Sequence, residues 1–361
     1  MKLKKEKSVF VPGECAILEG EVNHMSIKTG SFGEKAHLYT LENSSGTRLV
    51  LTDIGASAVS LVYRGTDILL GWDDPDRYFN GDGCHGATIG RVANRVADSR
   101  FVLNGKTYDL IKNDGRNNLH SGPYGYHRRL WQVAETLGDR VVFFMDSPDG
   151  DQGYPGRLRL WAGYTLTEDD SVLLDYRAET DSDTPVNIVN HAYFNLNGQG
   201  SGDILGHRLK LYADSFTPST ADLIPEGEIR PVEGTPFDFR AGHAIGDFIN
   251  DSDPRLISAR GYDLNFPVPG EGLRPAAELT GEKSGIRLTV LTDLPAVQLY
   301  TGNFLSGEKG KGGAAYPRHS GVCLETQRFP NALNEPRFPT MILAAGETRS
   351  SRTAWALSRT E

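Results

Sequence analysis

Cysteine is scarce and poorly placed for any framework. Cys15, Cys84 and Cys323 are the three in 361 residues. An odd, dispersed set builds neither a disulfide scaffold nor a Cys-x-x-Cys metal pair. A reducing compartment suits such a chain, and the cytoplasm is the expectation. The nine histidines include no His-x-His and no His-Glu-x-x-His, so spacing gives a metal site no support and none is expected. No run of eighteen apolar residues occurs, so nothing is expected to span or bind a membrane. The basic start at residues 2–7 imitates the first part of a signal peptide, but Pro12, Gly13 and Glu14 interrupt the stretch after it. Positive charge is not in excess. The net charge is −9, whereas a nucleic-acid binder is more often basic, so that class is set aside. Three nucleotide and hydrolase signatures are also missing. Lys309-Gly310-Lys311-Gly312 fails the frame of a phosphate loop. Gly198-Gln199-Gly200-Ser201-Gly202 lacks the strand-to-helix setting of a dinucleotide site. No Gly-x-Ser-x-Gly elbow marks a nucleophilic serine.

Long amphipathic helical windows are absent too, and strand signals fill their place. Asn104-Gly105 between residues 100–103 and 106–110 predicts a hairpin, because Asn-Gly supplies the two positive φ angles of a type I′ turn. Strands are predicted at 37–41 and 48–51, and at 158–166 and 172–178 around the acidic turn Glu168-Asp169-Asp170. Residues 286–292 and 297–300 repeat that pattern. The 41 glycines and 19 prolines fall between the runs as turn punctuation. Short strands with Gly/Pro turns imply an all-β sandwich or barrel, and 38% hydrophobic content is enough for a large core. No linker stands out. The expected organisation is an N-terminal extension at 1–31 and one β domain at 32–361. Residues 306–315, rich in Gly and Lys, read as a mobile surface loop.

Four polar islands carry the chemistry: Gly90-Arg91-Val92-Ala93-Asn94-Arg95, Asn117-Asn118-Leu119-His120-Ser121-Gly122, Asn190-His191-Ala192-Tyr193-Phe194-Asn195 and Cys323-Leu324-Glu325-Thr326-Gln327. If 187–195 is a strand, Asn187, Val189, His191, Tyr193 and Asn195 share one face, a surface suited to a sugar. Histidine is the side chain best able to donate a proton near neutral pH, although a lone histidine is more often structural. Glu325 comes after an apolar strand-like run. Burial would raise its pKa and make it a better base, while an ion pair with Arg328 is the plainer reading. His120 sits in turn chemistry, where functional residues and ordinary loop histidines both occur. Arg95 can bridge vicinal hydroxyls, with Asn94 beside it; surface ion pairing is the plainer role, more so for Arg91. Asp263, in Gly261-Tyr262-Asp263-Leu264-Asn265-Phe266, offers a hydroxyl-accepting carboxylate or a turn aspartate.

The chain resembles the aldose 1-epimerase (galactose mutarotase) family from about residue 32 to residue 358. Six stretches in order carry the resemblance: residues 86–95, 118–122 and 149–156, then 190–196, 298–303 and 324–330. It implies a large antiparallel β-supersandwich. It implies Glu325 as general base, His191 as general acid, His120 as a second active-site histidine, and Asn94, Arg95, Asp263 and Gln298 as binders of sugar hydroxyls. The implied reaction exchanges the α and β anomers of a free aldose, galactose or glucose first. It uses no cofactor, and the protein would be a monomer or homodimer. Leu264 departs from the family's usual histidine after the aspartate, and a disturbance behind the pocket is expected from it. Two rivals are weighed. A glycosidase would need two carboxylates flanking the bond, such as Glu325 and Asp263. A sugar-binding module could use the same fold without turnover.

Overall fold

The computed structural model describes residues 27–81 and 83–360. Its strands form where side chains alternate. In Leu158–Leu166, the residues Leu158, Leu160, Ala162, Tyr164 and Leu166 are buried, and Arg159 is exposed between them. That period of two is the signature of a strand with one face on a core. The partner Ser171–Thr180 pairs with it antiparallel from Leu158↔Thr180 to Leu166↔Val172.

These two strands belong to a nine-stranded antiparallel sheet. Its order is Gln132–Leu137, Arg140–Ser147, Leu158–Leu166, Ser171–Thr180, Thr348–Arg359, Ile286–Thr292, Arg274–Thr280, Arg208–Leu211 and His243–Ala244. A five-stranded meander runs from Lys28–Phe32 through Ala36–Glu42, Arg48–Thr52 and Ser57–Tyr63 to Thr66–Asp67. The two sheets share one core. Tyr39 and Leu41 of the meander are buried in the same cluster as Phe143, Leu160 and Trp355 of the large sheet. The rings of Tyr39 and Phe143 lie 5.6 Å apart, edge to face. A third, three-stranded sheet of Asp263–Pro267, Ala296–Tyr300 and Cys323–Gln327 brings Asp263, Tyr300 and Glu325 to the site. Helix is confined to short pieces, Pro75–Asn80 and Pro254–Ala259 being the α-helices among the described residues. None of them is long and apolar enough to cross a membrane.

The Asn104-Gly105 turn has φ of 52° and 75°, as a type I′ hairpin requires. Other expectations need correction. The strand Lys28–Phe32 pairs in register with Ala36–Glu42, so ordered β structure begins inside the expected extension; residues 1–26 lie outside the described chain. Ile286–Thr292 and Ala296–Tyr300 do not pair with each other. The first joins the large sheet and the second the three-stranded one, so the turn between them is a crossing between sheets.

Residues 306–315 do not form a loose loop. Glu308–Lys309 pairs with Ala315–Tyr316, and the buried Lys311 pins the tip. Its Nζ donates to the Val59 carbonyl at 2.6 Å and to Asp67 Oδ2 at 2.7 Å. Asp67 is only half-buried, so losing the ammonium costs it a charge-assisted hydrogen bond but leaves it within reach of water. Lys311→Met is therefore expected to cost about 2 kcal/mol in denaturant unfolding. An unchanged midpoint would show that the ammonium does not anchor this hairpin.

Candidate active site

The three-stranded sheet positions its polar residues by alternation and register. Asp263 lies opposite Tyr300, and Tyr300 opposite Cys323; one row on, Asn265, Gln298 and Glu325 are aligned. Residues opposite each other, and those two apart, share a face. All six therefore stand on one side of the sheet. The other side carries Leu264, Phe266, Val297, Leu299 and Leu324 into the main core. Leu264 is buried in the core on the opposite face from Asp263, which places it behind the pocket and not in its lining.

The predicted strand at 187–195 is also corrected. Only Val189–Asn190 is strand, paired with Thr88–Ile89. Side chains add to the backbone pairing: Asn187 Nδ2 donates to the Ala93 carbonyl at 3.3 Å, and Asn190 Nδ2 to the Gly86 carbonyl at 2.7 Å. His191 is still held firmly. Its amide donates to the Ala87 carbonyl at 2.9 Å, and its own carbonyl accepts from Gly86 at 3.0 Å. Gly86 has φ +66°, and a Cβ there would meet the Ala58 carbonyl oxygen at 1.9 Å, so only glycine brings this segment so close. His191 and Tyr193 face the cleft. Asn195 instead bonds the Gly202 and Ser320 carbonyls.

A cleft of about 650 Å³ opens over this face. His191, His120, Glu325, Asp263, Arg95 and Asn94 all line it. His191 Nε2 lies 3.6 Å from Glu325 Oε1, so Arg328 is not the carboxylate's partner. Glu325 is 3% exposed, and its Oε2 has no hydrogen-bond partner among the described residues. Burial pushes this carboxyl well above its ordinary value; the charge of Asp263 adds to the shift and Arg95 opposes it. Burial lowers the His191 imidazole to about 4. The ring of His120 stands 5.4 Å from that of His191, nearly perpendicular. His120 has φ 53° in its turn. Its Nδ1 accepts from the Asn94 amide at 3.1 Å while its own amide donates back to the Asn94 carbonyl at 3.1 Å. An amide can only donate, so Nδ1 is bare and the ring proton sits on Nε2. Burial, then His191, His127 and Arg95, hold His120 well below its ordinary pKa, which keeps it a neutral donor.

Arg95 is buried and holds Asp114 at 2.7 Å and Asp263 at 3.6 Å. Burial raises the Asp263 carboxyl despite Arg95 and the 2.6 Å hydrogen bond from Gln298 Nε2. Gln298 itself does not line the cleft. Its Oε1 accepts from Gln327 at 3.0 Å, so both ends of the amide are engaged and it reaches the cleft only through Asp263. Arg91 is not a surface residue either. It is 1% exposed, and its guanidinium donates to the carbonyls of Pro155 and Gly156 at 2.8 Å, which ties the 149–156 stretch behind the site. Tyr193, Tyr300, Phe304, Cys84, Glu308 and Arg77 also line the cleft. Of the lining residues not foreseen, Tyr300 was accessible to reasoning, since it sits two residues from Gln298 on the same strand face. The helix residues and Cys84 gave no local signal. The structure also gathers a donor set that spacing did not suggest: ligand atoms of His191, Cys323 and Glu325 lie within 4.8 Å of one another.

A buried carboxylate and imidazole in contact, ringed by a guanidinium, a second carboxylate and aromatics on an antiparallel β-supersandwich, define a mutarotase-like protein. The Aldose 1-epimerase family pattern matches residues 37–356. Galactose mutarotase of Bos taurus is 44% identical over 294 residues, 81% of this chain and 84% of that protein. Aldose 1-epimerase of Escherichia coli is 38% identical over 333 residues, 90% of this chain and 95% of that one. Among solved structures, the aldose epimerase homologue from C. elegans superposes with a TM-score of 0.84 at 29% identity, covering 92% of this chain and all of that one. Galactose 1-epimerase from Lactobacillus acidophilus gives 0.83 at 28% identity, covering 93% and 100%. The chain belongs to the aldose 1-epimerase family, isomerases that interconvert the anomers of free aldoses.

Proposed function

We propose that this protein exchanges the α and β anomers of galactose, and of glucose with it, using Glu325 as base and His191 as acid. The observation that carries the reading is the buried Glu325–His191 contact at 3.6 Å, with the second carboxylate oxygen unpartnered among the described residues and both side chains lining the cleft. In the forward step Glu325 takes the proton of the C1 hydroxyl. His191 gives its proton to the ring oxygen, and the C1–O5 bond breaks to leave the open aldehyde. Rotation about C1–C2 presents the other carbonyl face. Reclosure then runs both transfers backwards, so no redox step occurs and nothing is consumed. His120, with its proton on Nε2, donates a hydrogen bond on the ring-oxygen side. Asn94, Arg95 and Asp263 hold the hydroxyls so that both transferring groups reach the sugar together. Gln298 acts one step back, orienting Asp263. The names of the relatives favour galactose. Two free thiols, Cys84 and Cys323, suit the cytoplasm.

The opposed shifts favour the neutral form of both partners in the empty cleft. The empty pair holds one proton, on the carboxyl, because burial disfavours the charged form of each partner. The reactive carboxylate–imidazolium form is reached when bound hydroxyls supply hydrogen bonds to the carboxylate. Below about pH 4 the imidazole takes a second proton, and no base remains. Above the raised carboxyl value the pair loses its last proton, and no acid remains. The expected kcat/KM profile is a bell between these limits. In nitrogen NMR of the empty enzyme, His191 is expected to stay neutral down to about pH 4. Titration near the free value of about 6.5 would contradict this account of the pair.

Exchange cross-peaks between the α and β anomeric protons of galactose are expected to appear when the protein is added. Methyl galactoside has no free C1 hydroxyl and should neither exchange nor release methanol. Release of methanol would establish a glycosidase in its place.

A further inference from the structure

We propose that His191, Cys323 and Glu325 form a binding site for a soft divalent cation, zinc or cadmium, and that its occupancy blocks anomer exchange. The inhibitory consequence rests on the reading of this cleft given above. The binding itself does not.

The site is built from a strand and a clamped segment. Cys323 and Glu325 are two apart in Cys323–Gln327 and present their side chains to the same face. His191 stands against both: its Nδ1 is 3.5 Å from Cys323 Sγ, and its Nε2 is 3.6 Å from Glu325 Oε1. One donor atom from each residue falls within a 4.8 Å circle. A tetrahedral zinc ion binds sulfur at about 2.3 Å and imidazole nitrogen or carboxylate oxygen at about 2.0–2.2 Å, which places nitrogen and sulfur donors about 3.5 Å apart. One ion takes one imidazole nitrogen: the Nδ1–Cys323 distance already meets that figure, and the Glu325 carboxylate, which stands at Nε2 on the other edge of the ring, must turn to reach the same ion. Glu325 Oε2 lacks a partner among the described residues, so an acceptor there awaits a cation or a hydroxyl. The fourth position opens on the cleft through the lining residues His191 and Glu325.

Donor chemistry selects the ion. One thiolate, one imidazole and one carboxylate is a set for zinc or cadmium, whereas magnesium and calcium take oxygen ligands. Binding forms metal–sulfur and metal–oxygen bonds, and the Cys323 thiol proton and the Glu325 carboxyl proton both leave to solvent; no electrons move. Cys84 also lines the cleft but is not among the three donors. The ion would take both of the groups that exchange protons on the sugar, so it and the sugar exclude each other.

The test is titration of the purified protein with cadmium, read as the thiolate-to-metal charge-transfer absorption and by calorimetry. One equivalent is expected to bind with that band. Galactose at saturating concentration should weaken binding. Cys323→Ser and Cys323→Ala should lose the band and about tenfold or more in affinity, while Cys84→Ser and Cys15→Ser should keep both. Zinc should inhibit anomer exchange in competition with galactose, reversed by EDTA. A band that survives both folded Cys323 variants, or is lost in Cys84→Ser, would overturn the proposal. So would the absence of any band in the wild type. A protein that binds cadmium through Cys323 yet exchanges no anomers would keep the site and remove the activity assigned to it.

Discussion

Glu325→Gln is expected to nearly abolish anomer exchange and, at the same time, to make the protein more stable. The amide keeps the size of the side chain but cannot accept the C1 proton, so kcat should fall by roughly 10² to 10⁴, the usual worth of one proton-transfer group. The stability gain comes from burial. A carboxyl whose folded pKa is raised contributes stability that is fully present below its unfolded value and lost as pH rises through the folded one. Glutamine does not titrate. The variant's advantage in thermal unfolding should therefore widen as pH rises above the ordinary carboxyl value toward the raised one. A variant that loses activity and melts lower at every pH would show that Glu325 holds the structure together and is not a strained base.

His191→Asn is the second large effect. It removes the acid, and kcat is again expected to fall by roughly 10² to 10⁴. Its effect should not add to that of Glu325→Gln, because the two groups act as a unit on one proton relay; the double variant should be about as slow as either single one. Additive losses would mean that the two residues act at separate steps. Sugar affinity should change less than kcat, since Asn94, Arg95 and Asp263 remain to hold the hydroxyls. His120→Asn provides the contrast. In the proposed mechanism His120 donates a hydrogen bond without exchanging its proton, so its loss should be smaller, and the alkaline limb of the pH profile should stay where it is.

Local chemistry is legible in the sequence and distant pairing is not. The Asn104-Gly105 turn and the strand Leu158–Leu166 can be read because their causes lie within a few residues. Lys311 cannot. Its partner Asp67 is 244 residues away, so a run of Gly and Lys reads as loose when it is anchored. The same holds for Ile286–Thr292 and Ala296–Tyr300, whose partners lie in different sheets. His191 stands out as part of a motif, but the continuous strand expected around it does not form, because its backbone changes partners along the way, from Arg91 and Ala93 at Asn187 to residues 86–89 at 189–191 and then to Val322 at Phe194. The residues that meet in the cleft come from far-apart segments, and composition alone offers no means of assembling them. The resemblance to a family supplies that assembly, and the three-stranded sheet supplies its physical reason.

The most direct test of the central claim is polarimetry on freshly dissolved α-D-galactose with and without the protein. Faster decay to the same final rotation is predicted, with glucose also accelerated and Glu325→Gln without effect. Decay at the spontaneous rate for both sugars, by a folded protein that binds them, would contradict it.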